Sequence, residues 1–233
     1  MSEKEKILTP RVVLAVFIFI VGVPILPLVI SGDWGWWEAW AYFAVNVAGF
    51  VISRYLAGRK HPDLITERGK FMQHDNTEPW DNVLSPLLAV GGGLIPITAG
   101  VAARFDAAGI DLTIGLRFLA LLILIGGHAL GSYALIANRF FSVTVRIQSE
   151  RGHHVVHGGP YRWVRHPGYA GALLTYLATP FLLGSWWIFL PVFMVLVILV
   201  VRTSLEDRTL QEKLVGYREY AGKVRYRLIP GIW

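Results

Sequence analysis

The chain has 233 residues, of which 54% are hydrophobic and only 16% charged. Soluble globular domains carry about 25% charged residues, so this composition is typical of a protein that lies in a lipid bilayer. The absence of cysteine excludes disulfides, thiolate nucleophiles and cysteine-ligated metals. The net charge of +6 is spread between apolar segments, which favours anionic lipid as a partner and predicts no nucleic-acid binding.

The N-terminal segment predicts an uncleaved membrane helix. Residues 1–11 are charged and lead into an apolar run over residues 12–30, which is longer than the apolar core of a signal peptide. Residues 37–56, 83–103 and 114–138 are also long enough to cross the roughly 30 Å of hydrocarbon. These four segments are the predicted transmembrane helices of the N-terminal part.

Residues 58–82, between the second and third of these segments, are polar and rich in turn formers. They predict either a solvated loop or a lid over a site.

A polar stretch over residues 139–166 is followed by an apolar region that is too long for one span. Gly184 begins a turn within this region, which predicts a hairpin of two short helices over residues 169–183 and 186–202. The amphipathic tail, residues 206–233, is expected to continue the last helix, to end near Gly222 and Pro230, and to lie at the membrane surface.

The predicted fold is therefore all-α: a polytopic integral membrane protein with about six apolar helical segments, of which the last two form a short hairpin, and a C-terminal cytoplasmic helix. Residues 1–138 form the N-terminal transmembrane helices, and residues 139–233 form a catalytic region of loop, hairpin and tail. Lys and Arg gather before the first helix, in the second and fourth connections and in the tail. This pattern predicts that both termini are cytoplasmic.

Two polar patches follow the fourth segment. In the first, Gly158, Gly159 and Pro160 allow close approach of the backbone to a ligand, and Pro167 favours the first turn of a helix. The free N–H groups of that turn suit an anionic group such as a cofactor carboxylate.

The second patch contains Arg202 and Glu206, which lie one helical turn apart on the same face. They predict either a simple intrahelical ion pair or a guanidinium that orients a substrate carboxylate, beside a carboxylate that holds an ammonium or accepts a proton.

The histidines allow a metal interpretation that the pattern does not favour. His153, His154 and His157 have suitable spacing, but they have neither the zincin pattern nor an evident carboxylate ligand, so no metal site is predicted. His128, on an apolar helix, is interpreted as a packing residue, with a proton relay as the alternative.

The sequence resembles the isoprenylcysteine carboxyl methyltransferase family, within the wider group that includes phospholipid N-methyltransferases. The resemblance covers roughly the last 95 residues and is carried by four runs. These are GGPYRWVRHPGYAG at residues 158–171, RTSLED at 202–207, GYREY at 216–220 and VRYRLIP at 224–230. The combination of Arg-His-Pro-x-Tyr-x-Gly with a later Arg-x-x-x-Glu is highly specific.

The resemblance implies an all-helical membrane enzyme that transfers a methyl group from S-adenosylmethionine (SAM) to a lipidated or hydrophobic acceptor. The family's cofactor-binding residues fall on Gln148, His153, His154, Val155, Val156, Tyr161, His166, Pro167, Gly168, Tyr169 and Glu206. Its substrate-orienting arginine falls on Arg202, so Arg202 and Glu206 are the expected catalytic residues. The segment between Gln148 and His153 is shorter than in eukaryotic members.

The motifs are compatible with several activities. Arg202 favours carboxyl O-methylation, whereas the acidic pair Glu206 and Asp207 is similar to that of phospholipid amine N-methyltransferases. The C-terminal run RYRLIPGIW is similar to the end of NADPH-dependent membrane sterol reductases. A transport protein would be expected to place polar groups near the bilayer midplane, but here they cluster towards one surface.

Overall fold

The computed structural model describes residue 14, residues 17–70, residue 74 and residues 76–233. These residues form helices and irregular connections with no β-strand, and a single isolated bridge joins Gly109 to Ser185. The prediction of an all-α fold is confirmed. The charged N-terminus and the first residues of the first predicted span lie outside the described residues.

The helices that we name are, in chain order, α1 (Val23–Ser31), α2 (Trp37–Lys60), α3 (Pro62–Gly69), α4 (Asp81–Arg104), α5 (Ile114–Ala137), α6 (Pro167–Leu183), α7 (Phe189–Lys213) and α8 (Tyr217–Lys223). A π-helical turn, Ile18–Gly22, precedes α1.

Three of the described segments are long and apolar enough to cross a membrane: Asp81–Arg104, Ile114–Ala137 and Trp186–Lys213. Ile18–Ser31 is apolar but shorter. The protein is therefore an integral membrane protein, and the total of about six membrane segments stays a prediction.

The turn between α6 and α7 follows from its sequence. Gly184 caps α6 with a left-handed φ of 71°, a conformation that is unstrained for glycine. The Ser185 hydroxyl then accepts a hydrogen bond from the Trp187 amide at 3.3 Å, which starts a 3₁₀ turn leading into α7. Helix α7 continues eleven residues past Arg202, and its buried Asp207 is bonded there by Arg165 and Arg227.

The connections between helices collect at two ends of the bundle. At the short-loop end (residues 32–36, 105–113 and 184–188), the Ile110 amide donates to the Gly184 carbonyl at 2.8 Å. At the polar end (residues 61–80, 138–166 and 214–233), charged side chains bind one another across the connections. The polar end contains both patches identified in the sequence.

Residues 58–82 are folded where the structure describes them, since α3 packs on the loop between α5 and α6. Leu64 is fully buried, and Asp63 accepts hydrogen bonds from Arg139 at 2.8 Å and Arg151 at 2.5 Å. Burial raises the pKa of Asp63, but these two arginines outweigh burial and lower it to about 2. The segment therefore contains a helix where it is described, and its role as a lid over a site stays a prediction.

Helices α5 and α6 meet backbone to backbone. A Cβ atom at Gly171 would lie 2.5 Å from the Gly127 carbonyl oxygen and 2.7 Å from the Gly131 nitrogen. Small residues allow such an approach between membrane helices. The contact fixes the start of α6, and with it the His-Pro patch, against the end of α5.

Candidate functional site

The two polar patches meet at the polar end, where α6 begins and α7 leaves the apolar layer. The C-terminal tail crosses over them, since the Arg165 amide donates to the Tyr226 carbonyl and the His166 amide to the Arg227 carbonyl, both at 2.9 Å. The Tyr220 hydroxyl donates to the Tyr161 carbonyl at 2.7 Å. The tail thus closes the site from the side opposite the helices.

Asp207 is the centre of this closure. It is fully buried, and its carboxylate is bonded by five side chains. The partners are Arg165 (2.7 and 2.9 Å), Arg227 (2.9 Å), Gln211 (2.9 Å), Tyr217 (3.2 Å) and the Nε2 atom of His166 (3.2 Å). A buried carboxylate needs such compensation, so Asp207 anchors the tail and orients His166. Within the acidic pair, Glu206 is therefore the carboxylate left for other chemistry.

Glu206 is held by α6. The Tyr169 hydroxyl donates to Oε2 of Glu206 at 2.5 Å, and the Tyr169 ring stacks on His166 with centroids 5.8 Å apart. The carboxylate and the His-Pro patch therefore belong to one cluster, as the family resemblance predicts.

Arg202 pairs with a residue that the sequence did not suggest. Its Nε donates to Oδ1 of Asp81 at 2.6 Å, and its Nη2 donates to Oδ2 at 2.9 Å. Nη2 also donates to the Val143 carbonyl at 2.7 Å. Asp81 is fully buried and accepts a further bond from the Val145 amide at 2.6 Å.

This pairing changes the expected geometry. The intrahelical ion pair of Arg202 with Glu206 is not formed, because each has another partner. Asp81 accepts two hydrogen bonds from Arg202, the residue that was expected to orient an acceptor carboxylate. Nη1 is the one guanidinium nitrogen of Arg202 without a hydrogen bond to the described residues.

A cavity of about 270 Å³ lies beneath the C-terminal end of α5. Its lining includes the predicted cofactor residues His154, Val155 and Val156, together with His61 and Phe140. Nε2 of His61 is buried and has no hydrogen-bond partner among the described residues. The cavity lining does not include His166, Tyr169 or Glu206, so the predicted cofactor residues fall into two groups.

The loop between these groups contains Gln148, His153 and Tyr161, which were also predicted to bind the cofactor. The Gln148 side chain is 1% exposed, donates to the Phe140 carbonyl at 2.7 Å and accepts from Arg151. His153 packs on the Phe140 ring at 4.6 Å, and its Nδ1 accepts from the Gln148 amide at 3.3 Å. Burial, followed by the nearby His154 and by Arg146 and Arg151, lowers the pKa of His153 to about 4.

Tyr161 connects the loop to α5 and to α7. Its hydroxyl accepts a hydrogen bond from the Asn138 side chain at 3.1 Å, at the end of α5. Burial raises the pKa of Tyr161, and the negative charge of Glu206 raises it further, whereas the bond from Asn138 lowers it. Tyr161 therefore lies within the electrostatic range of Glu206.

Asp81 and His61 were not among the site residues predicted from the sequence. Each belongs to the N-terminal half, and only folding brings it to the polar end. A faint signal existed for Asp81, because it is an acid directly before a long apolar run.

The fold and the site define an integral membrane protein of helices with a buried polar site at one end of the bundle. Residues 119–212 match the isoprenylcysteine carboxyl methyltransferase (ICMT) family, which confirms the family recognised from the motifs. Over these residues the chain is similar to membrane methyltransferases of the isoprenylcysteine carboxyl type. The matched region contains His166, Tyr169, Arg202 and Glu206. It begins after Asp81, which therefore lies outside it. No curated protein matches the chain.

Proposed function

We propose that the protein binds SAM at the polar end and methylates a carboxylate on a lipid-borne acceptor. The observation that carries the proposal is the cluster of Tyr169, Glu206 and Arg202, which lies inside the family match and at the exit of an apolar helix. The Arg202 guanidinium lies 5.5 Å from the centroid of the Tyr169 ring.

The residues at the polar end suit such a cofactor. The cavity beside His154, Val155 and Val156 is just below the usual size of ligand pockets, about 300–1,000 Å³, and would take part of a nucleoside. The buried Nε2 of His61 offers an unused polar contact there. In the second group, Glu206 would hold the ammonium group of the amino-acid moiety, and the start of α6 would receive its carboxylate.

SAM, when bound, supplies an electrophilic methyl group. An acceptor carboxylate is already nucleophilic at neutral pH, so the chain needs to supply orientation and electrostatic support rather than a base. Nη1 of Arg202 would orient the acceptor, and Asp81 would keep the guanidinium fixed. For a phospholipid amine, Glu206 would instead have to accept a proton, while its bond from Tyr169 would oppose this.

The test is equilibrium binding to the purified protein in detergent. We expect S-adenosylmethionine and its demethylated product to bind, and NADPH not to bind. His166→Ala and Tyr169→Phe should weaken SAM binding about tenfold, since a hydrogen bond to a charged group contributes about 1.5–3 kcal/mol.

Trp163→Ala is a matched control, because Trp163 is 56% exposed. NADPH binding without SAM binding would reject the proposal in favour of a reductase. Unchanged SAM affinity in both well-folded variants would remove the cofactor assignment.

A further inference from the structure

Two partly buried arginines near the polar end, Arg54 and Arg68, have no acidic partner among the described residues. Arg54, on α2, donates to the Ser53 hydroxyl at 2.8 Å and lies 3.9 Å from the centroid of the Phe50 ring. Arg68, on α3, donates to the Phe141 carbonyl at 3.0 Å. Both side chains are at least partly buried. By contrast, Arg139, Arg146, Arg151, Arg165, Arg202 and Arg227 all bind carboxylates.

These arginines lie next to the proposed site. Arg68 binds the carbonyl of Phe141, and Arg202 binds the carbonyl of Val143, two residues further along the same loop. Phe141 packs on the start of α6, since a Cβ on Gly168 would lie 2.6 Å from the tip of its ring. Arg68 and Arg202 therefore approach the same stretch of loop from α3 and α7.

The electrostatics agree with this placement. Burial, followed by the positive charges of Arg54 and Arg202, lowers the pKa of Arg68 to about 9. Like charges that are gathered without a counter-charge destabilise a fold, and an anionic ligand removes that cost.

A further side chain with an unpartnered nitrogen, His128 of α5, lies beside α2. The His128 ring packs on α2, where a Cβ on Gly49 would lie 2.7 Å from Nδ1. Nε2 of His128 is buried and has no hydrogen-bond partner among the described residues. Gly49 precedes Arg54 by five residues, or about 7.5 Å along the helix. Polar side chains without a carboxylate partner thus continue along α2 from Arg54 towards the apolar part of the bundle.

We propose that Arg68, supported by Arg54, forms the second half of the acceptor-carboxylate subsite and shares the anion with Nη1 of Arg202. The inference rests on the proposed function and deepens it. Arg68 supplies a second hydrogen-bond donor to the carboxylate. Arg202 alone cannot supply two, because its Nε and Nη2 are bonded to Asp81. The ligand is the free carboxylate of the lipid-borne acceptor.

The experiment compares an S-farnesyl N-acetylcysteine with its methyl ester, binding to the full chain in phosphatidylcholine nanodiscs without SAM. The wild type should bind the free acid about tenfold more tightly than the ester, because the ester has lost the charge. Arg68→Gln should remove most of this difference. Arg54→Gln should reduce it less, and it serves as a second variant if Arg68→Gln unfolds.

Arg59→Gln is the matched control, since Arg59 is exposed on the same end of α2 and only faces the Tyr55 ring. It should preserve the discrimination. Equal binding of acid and ester by the wild type, or full discrimination by a folded Arg68→Gln protein, would overturn the proposal. Displacement of the acid by phosphatidylglycerol would also overturn it, by assigning the arginines to lipid phosphate.

The two proposals fail in different ways. The comparison of acid with ester needs no cofactor, so absence of SAM binding would reject the proposed function without changing this result. Where SAM turnover is measured, Arg68→Gln should raise the KM for the acceptor about tenfold and leave SAM affinity unchanged.

Discussion

A guanidinium has five N–H donors, and three hydrogen bonds from Arg202 already run to Asp81 and Val143. A lysine ammonium cannot reproduce two parallel bonds in one plane, so Arg202 cannot be exchanged for lysine without loss of position. The remaining nitrogen, Nη1, is useful to a substrate only while Asp81 holds the group still. Asp81 is therefore a positioning residue in the proposed mechanism.

Arg202→Lys should lower the rate of methyl transfer about ten- to a hundredfold, because about 1.5–3 kcal/mol of oriented interaction is lost. SAM affinity should change little, whereas Glu206→Gln should weaken SAM binding as well. Arg208→Lys is the control, because Arg208 is exposed and pairs only with Glu212. Turnover and SAM binding measured on all three variants check this. Full turnover in Arg202→Lys would favour a phospholipid amine as the acceptor.

His153 makes the polar loop sensitive to acid. Its folded pKa of about 4 lies below the ordinary value of 6.5, so the unfolded chain binds more protons between these values. The contribution of neutral His153 to the free energy of unfolding should be complete above pH 6.5 and should be lost as the pH drops towards 4. His153→Asn can keep an acceptor for the Gln148 amide but does not titrate. Its unfolding temperature should fall less than that of the wild type between about pH 7.5 and 5.5. Parallel curves for the two proteins would show that His153 is not the cause.

At the scale of helices, the contact between α5 and α6 determines where the His-Pro patch lies. Gly171→Ala would place a methyl group 2.5 Å from the Gly127 carbonyl, and both atoms nearest to it belong to backbone. We expect a loss of about 1–3 kcal/mol, with reduced SAM binding because α6 shifts.

Gly126→Ala is the matched control, since a Cβ there meets no atom within 4 Å. Thermal unfolding in detergent and SAM titration of both variants provide the measurement. Equal stability of the two variants would contradict the close contact.

Helix identity was predictable here, whereas helix length and pairing were less so. Apolar runs and Pro, Gly and Ser signals are local, and they identified the end of α6 at Gly184 correctly. The amphipathic tail was predicted to continue the last helix, and α7 does continue past residue 206 to Lys213. The bond from Arg227 to the buried Asp207 could not be predicted, because it joins this helix to the end of the chain. The helical fold of α3 was missed because Leu64 and Asp63 make their contacts with distant residues, Leu64 in a buried cluster and Asp63 with Arg139 and Arg151.

The candidate site was predictable only in part, for the same reason. Motif spacing identified Tyr169, Glu206 and Arg202, but it could not show that Arg202 binds a carboxylate 121 residues earlier in the chain. Pairings between distant elements depend on the three-dimensional arrangement of α4 and α7, which no local pattern contains.

At the scale of the whole molecule, the two ends of the bundle differ in charge. The polar end contains the arginine-rich loops, so the preference of Lys and Arg for the cytoplasmic side predicts that this end faces the cytoplasm. Cysteine at Ser149, which is exposed at the polar end, should resist membrane-impermeant thiol reagents in intact cells. Cysteine at Asp111, exposed at the short-loop end, should react readily. If the Ser149→Cys protein were labelled and the Asp111→Cys protein were not, the polar end would face away from the cytoplasm.

The pairing of Asp81 with Arg202 joins the family-matched region to a helix that precedes it. The N-terminal helices are therefore more than a generic anchor that could be replaced by any set of apolar segments. A chimaera that joins residues 119–233 to the front half of a relative would leave a buried cation uncompensated unless the donor supplied an acid at the position of Asp81. Recombination between relatives at this boundary should yield active enzymes only when both halves carry complementary charges.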